Sequence, residues 1–180
     1  MAAKHQFRDI KVSPAYTEEE RRAIARDLVS YIRDRTKEGK GPGGKEWGGG
    51  AGKYSDEYKK SLEFKIAGKD STVDLTLSGD MLDSMDVLST EGNKIRIGFE
   101  NGTEENARAD GNIRGTYGQD RPIPGKARPF LDLTPDEVKA VLEKYPLDDP
   151  ETRGFRTAVV NATTDFSGEM ISNLFGEDDE

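Results

Sequence analysis

Arg121-Pro122-Ile123-Pro124-Gly125-Lys126-Ala127-Arg128-Pro129-Phe130-Leu131-Asp132-Leu133 runs directly into Thr134-Pro135-Asp136-Glu137. Each proline fixes its own φ and keeps the residue before it out of the helical region, so the stretch is held extended. Phe130, Leu131 and Leu133 then arrive as an apolar plug ahead of a helix start. That start combines a threonine cap, proline at the first helical position and an acidic residue at the third. Val138, Val141, Leu142 and Tyr145 follow on one face, and Pro146 ends the helix. A rigid arm that ends in a plug and a capped helix needs a sheet or a helix layer to sit on.

Upstream, Asp86–Glu100 is the clearest β signal. Val87 and Leu88 enter a Glu91-Gly92-Asn93 turn, after which Ile95, Ile97 and Phe99 alternate with Lys94, Arg96 and Glu100. This predicts a hairpin with one buried face. Val73, Leu75 and Leu77 alternate as well and predict a strand over 72–77, broken by Ser78-Gly79-Asp80. Met81 and Met85 on the short turn that follows read as core filler. At the other end, Thr17-Glu18-Glu19-Glu20 is a capping box. Apolar residues at Ile24, Leu28, Tyr31 and Ile32 continue it as a helix over 17–37. Residues 1–16, with Phe7, Ile10, Val12 and Pro14, read as an extended N-terminal arm. The expected class is α+β. A small, mostly antiparallel sheet carries the long N-terminal helix and a C-terminal helix on one face, with long loops and extended terminal arms.

Two loops stand out. Residues 39–52 hold eight glycines among fourteen residues, with Trp47 in their midst. The run from Gly39 to Lys45 matches the spacing of a phosphate loop, but Glu46 stands where Ser or Thr is needed, and a helix precedes it. A loop whose tryptophan docks on the parent core or on a neighbouring subunit fits better. Residues 101–126 are rich in glycine and proline and poor in apolar residues, which predicts a long irregular segment. Arg108, Arg114, Arg121, Lys126 and Arg128 make it locally basic.

At 180 residues the chain suits one domain with appendages: an arm over 1–16, an α+β domain over 17–145 and an acidic extension over 146–180. The net charge is −8, and nine acidic against two basic residues fall in Pro146–Glu180, so the body is close to neutral. Global attraction to DNA is therefore not expected, only a local patch. Charged residues (34%) outnumber what a thick core tolerates at 33% hydrophobic content, which points to surface buried only against partners. With no cysteine and one histidine, His5, neither a Cys–His nucleophile nor a Ser–His–Asp set has its parts, and no thiolate metal site exists. Asp80, Asp83 and Asp86 recur at three-residue steps but read as exposed carboxylates. No apolar run reaches membrane-span length and no signal core opens the chain, so a soluble, cytoplasmically made protein is expected.

Three segments in order, Leu77–Met85, Lys94–Phe99 and Ala127–Thr134 with its acidic helix, resemble the phage virion morphogenesis proteins, the tail-completion and head–tail joining proteins of tailed phages. The resemblance spans roughly residues 10–145. Gly44 to Trp47 leading to Tyr54 and Tyr58 is similar to a further segment of that family. The resemblance implies a structural virion protein, not an enzyme and without a cofactor, that forms a homo-oligomeric ring and completes the tail in the phage neck. Six copies are implied by tail symmetry, with twelve as the competing count. Its partners would be itself and neighbouring connector, stopper, tail terminator or tube proteins, with passing contact to genomic DNA and no membrane. Trp47, Tyr54, Tyr117, Arg121, Arg128, Phe130 and Leu131 are the subunit-interface candidates. The alternative is a nucleic-acid-binding module using the basic loop 108–128.

Overall fold

The computed structural model describes residues 3–66, 68, 73, 75, 80–117, 119–147 and 159–160. The chain is α+β. Strand β1 is Phe7–Lys11, and helix α1 is Glu18–Lys37. The short helices α2 and α3 are Asp56–Lys60 and Leu62–Ile66, and a single turn, α4, spans Asp80–Asp83. Strands β2 and β3 are Asp86–Ser89 and Lys94–Gly98. Helices α5 and α6 are Glu104–Arg114 and Pro135–Leu142, and a two-residue strand β4 is Val159–Val160.

The sheet order is β2-β3-β1-β4, antiparallel throughout. The hairpin forms as its alternation predicts, with Ile95, Ile97 and Phe99 fully buried. A bulge between Val87 and Ser89 shifts the register of β2 against β3. Helix α1 lies on β2 and β3, and α6 packs on α1. The capping box is complete: Thr17 Oγ1 accepts from the Glu20 amide at 3.2 Å, and Glu20 Oε2 accepts from the Thr17 amide at 2.7 Å. Met81, Leu82 and Met85 fill the core below α1. Arg33 holds them there by donating to the carbonyls of Leu82 at 2.8 Å, Asp83 at 2.7 Å, and Met85.

Three expectations need correction. Residues 7–11 are not an arm but an inner strand, with Ile10 paired to Ile95 and Arg8 to Ile97. Directly opposed residues share a face, so Arg8, Ile10 and Val12 all point to the core. Arg8 spoils the apolar alternation, and it is tolerated because Asp132 on the arm neutralises it, accepting from Nε at 2.6 Å. The pairing also needs Gly98: its φ is +154, and a Cβ there would lie 2.4 Å from the Gln6 carbonyl oxygen.

Second, residues 104–114 are helical rather than irregular. Thr103 caps α5 by accepting from the Asn106 amide at 3.1 Å, and Gly115 closes it in the left-handed region at φ 71. Apart from Ile113 its buried face is small or polar, so no apolar stripe announces it. Asn106 Oδ1 accepts from the Gln6 amide at 2.8 Å, and Asp110 accepts from Gln6 Nε2 at 2.9 Å.

Third, of the strand expected over 72–77 only Val73 and Leu75 are described, neither of them in a strand, and the rest lies outside the described residues. Of the acidic extension expected over 146–180, only Pro146, Leu147 and β4 are described, and the rest lies outside the described residues.

Candidate functional site

The arm at 121–133 is fastened to its own body by three arginines. Arg35, on the last turns of α1, donates Nη2 to the carbonyls of Phe130 at 2.5 Å and Asp132 at 3.0 Å, and Nη1 to Glu137 at 2.7 Å. Arg8 holds Asp132 from the sheet. Arg128 itself reaches the other way. Its Nε donates to the Ala51 carbonyl at 2.7 Å, and its Nη1 donates to the Tyr117 hydroxyl at 2.5 Å and to Asn112 at 3.3 Å. One side chain thus ties the arm, α5 and the glycine-rich loop together. Burial pulls Arg128 below its ordinary pKa, and the hydroxyls of Tyr117 and Tyr54 lie close enough to oppose that shift.

This placement corrects three interface candidates. Phe130 and Leu131 are fully buried in the chain's own core, Phe130 edge-on to Phe99 with centroids 6.1 Å apart. They are plugs for this subunit, not anchors for a neighbour. Arg128 is buried as well, so it works inside the subunit. Trp47 is half-buried against the parent core and lies over Gly41, where a Cβ would come within 2.6 Å of the indole ring. Tyr54 and Tyr117 each lie near Arg128, and Arg121 is exposed on the arm. Tyr117 donates to the Lys126 carbonyl at 2.9 Å and adopts φ 47, which an L-residue takes only under constraint.

The glycine-rich loop leads into a small platform, 53–66, built on α2 and α3. Tyr54, Tyr58 and Phe64 form a triangle of rings with centroids 5.2 to 5.4 Å apart. Lys126 fixes the platform to the arm by donating to the Lys53 carbonyl at 2.7 Å. Burial, then Arg128 and Lys59 nearby, lower the Lys126 pKa. On the outside of α3, Leu62 is 68% exposed and Ile66 76%. They stand four residues apart on one helix face, beside Lys65. The signal was present as two apolar positions at helical spacing among lysines, but such spacing ordinarily marks an inward face.

The basic loop is largely engaged within the chain. Arg108 pairs with Glu104 at 2.6 Å and Arg114 with Asp110 at 3.1 Å, while Lys126 and Arg128 are bonded as above. Among the described residues, no group of three or more acidic or histidine side chains could hold a metal ion. Asp83 lies 3.5 Å from Lys37, and Asp86 accepts from the Val87 amide at 2.7 Å. Among the described residues no helix is long and apolar enough to cross a membrane.

Comparison with protein-family models, with characterised proteins and with solved structures finds no match.

Proposed function

We propose that the chain is a structural subunit that assembles with copies of itself, and that its setting is the neck of a tailed phage, where such a ring completes the tail and joins it to the head. The observation that carries self-assembly is the exposed pair Leu62 and Ile66 on a platform braced by an aromatic triangle. Two large apolar side chains are kept in water on a support that is itself well fastened. Covering them against another copy is the arrangement that offsets this exposure. The phage setting comes from the three-segment resemblance alone. Ring geometry calls for heterologous contacts, one patch meeting a different patch on the next copy. Six copies match the symmetry of a tail, and twelve is the count to set against it. Neighbouring rings of the neck and tail are the further partners, and no catalytic step is assigned.

Size exclusion with light scattering tests this. The expected result is a discrete ring-sized species whose mass chooses between six and twelve. Burying one leucine or isoleucine stabilises by about 1.5–3 kcal/mol. Leu62→Glu with Ile66→Glu should therefore weaken association about a hundredfold or more, with far-UV circular dichroism unchanged. A double variant that assembles as well as the parent chain would overturn the reading, as would a parent chain that stays monomeric at every concentration and is not taken up by isolated tails.

A further inference from the structure

Away from the platform, an open groove of about 710 Å³ runs between the start of α1 and the hairpin. One wall is the unbroken run 86–92. Successive strand residues point to opposite faces, so a groove touched by all of them follows the edge of β2 rather than one face. Among the described residues β2 is the terminal strand on that side of the sheet. An edge of this kind presents backbone N–H and C=O groups to an incoming strand.

The other wall is Glu18, Arg21, Arg22 and Arg26. Glu18 is engaged by Arg22 at 2.5 Å. Arg21 donates Nη1 to the Tyr16 carbonyl, while its buried Nε has no hydrogen-bond partner. Arg26 is exposed. The groove's remaining carboxylates, Asp86 and Glu91, stand toward the two ends of the strand wall, with Val87, Leu88, Ser89 and Thr90 uncharged between them. The middle of the groove therefore suits an extended segment that brings carboxylates to the arginine wall.

The chain carries such a segment. Residues 161–180 contain six acidic residues and no lysine or arginine. They follow β4, which pairs with Asp9 and Ile10 on the edge of the sheet opposite β2. Twenty residues reach about 70 Å when extended, enough to cross to another copy. We propose that residues 161–180 of one copy add as a strand to the β2 edge of the next, with their carboxylates against Arg21, Arg22 and Arg26. Donor and acceptor lie on opposite edges, so the contact is head-to-tail, the kind that can close a ring. The inference deepens the self-assembly reading and rests on it only in requiring that copies meet.

The test has two parts. A fluorescein-labelled peptide of residues 161–180 is titrated onto the full chain and followed by anisotropy. Saturable binding is expected, about tenfold or more weaker when Arg21, Arg22 and Arg26 are all changed to glutamate. Equal binding to that variant overturns the proposal. Because the chain has no cysteine, single variants can then be mixed. Ser89→Cys oxidised with Ser167→Cys or Ser172→Cys should yield a disulfide-linked heterodimer. If a chain carrying both Ser89→Cys and Ser167→Cys, or both Ser89→Cys and Ser172→Cys, closes the bond only within itself, or no bond forms in any pairing, the exchange between copies is refuted. Rings in light scattering with neither peptide binding nor cross-linking would remove this groove's role and leave the assembly reading standing. Arginine-dependent peptide binding by a chain that never forms rings would do the reverse.

Discussion

Replacing Glu137 by alanine should loosen the arm from helix α1. The carboxylate is 5% exposed and accepts from Arg35 Nη1 at 2.7 Å, from the Gly43 amide at 2.9 Å and from the Thr134 amide at 2.7 Å. Arg35 is itself 5% exposed, so the substitution strands a buried guanidinium, which costs about 3–5 kcal/mol. It also removes half of the capping box on α6, worth about 1 kcal/mol. Both losses run through the same two oxygens and are not additive. A working figure is about 4 kcal/mol, a large share of the roughly 5–15 kcal/mol that holds a domain of this kind folded. At a urea slope of about 2 kcal/mol per molar, the unfolding midpoint should fall by about 2 M. Trp47 is the only tryptophan and packs against the core, so its fluorescence follows the transition, with circular dichroism as the second probe. Glu137→Gln keeps an acceptor oxygen at the cap and should lose about 3 kcal/mol, the part due to charge. Arg35→Met combined with Glu137→Leu should regain most of the loss, because no buried charge remains. A loss below about 1 kcal/mol for Glu137→Ala would sink this reasoning, since it would mean that water reaches Arg35 and the pair is not buried in effect.

Two other outcomes follow from the same geometry. Burial pushes the Glu137 carboxyl up, but the Thr134 amide and the Arg35 guanidinium outweigh it and hold the carboxyl below its usual value. A depressed folded-state pKa contributes stability that is complete above the unfolded value of about 4.3 and is lost as pH falls through the folded one. The urea midpoints of the parent chain and Glu137→Gln should therefore converge on acidification below about pH 4. A gap that stays constant down to pH 2 contradicts the assignment. Gly98→Ala sets a Cβ 2.4 Å from the Gln6 carbonyl oxygen and 2.6 Å from Phe7 Cα. With φ at +154 it should cost about 2 kcal/mol or more, a fall in Tm of about 4–8 °C. At Gly92 φ is +57 but a Cβ meets nothing within 4 Å, so Gly92→Ala should lose only the left-handed backbone cost of about 1 kcal/mol, and equal losses would argue against β1 pairing at Gly98.

The elements legible in the sequence are those whose signal is local. The Thr17 and Thr134 caps start their helices where they read, because a cap involves residues only three apart. The 86–100 hairpin holds because its alternation and its turn agree. Strand β1 and helix α5 were hidden for one reason. Each has a polar group on its buried face, Arg8 in one and Asn106 with Asp110 in the other, and each group is satisfied by a partner about a hundred residues away.

The candidate site divides in the same way. That Phe130 and Leu131 are buried was readable from the arm that carries them. That they are buried in their own subunit was decided by Arg35, Arg8 and Arg128, reaching from α1, the sheet and the arm itself. Leu62 and Ile66 show the converse: their spacing looks like an inward face, and the fold leaves them outside. By itself the sequence determined the class, the long helix, the hairpin and the capped helix after the arm, since backbone preference and periodicity act over a few residues. Only the tertiary structure decided which apolar residues the core takes, which charges are neutralised and which apolar side chains stay exposed, because those outcomes depend on contacts between segments far apart in sequence.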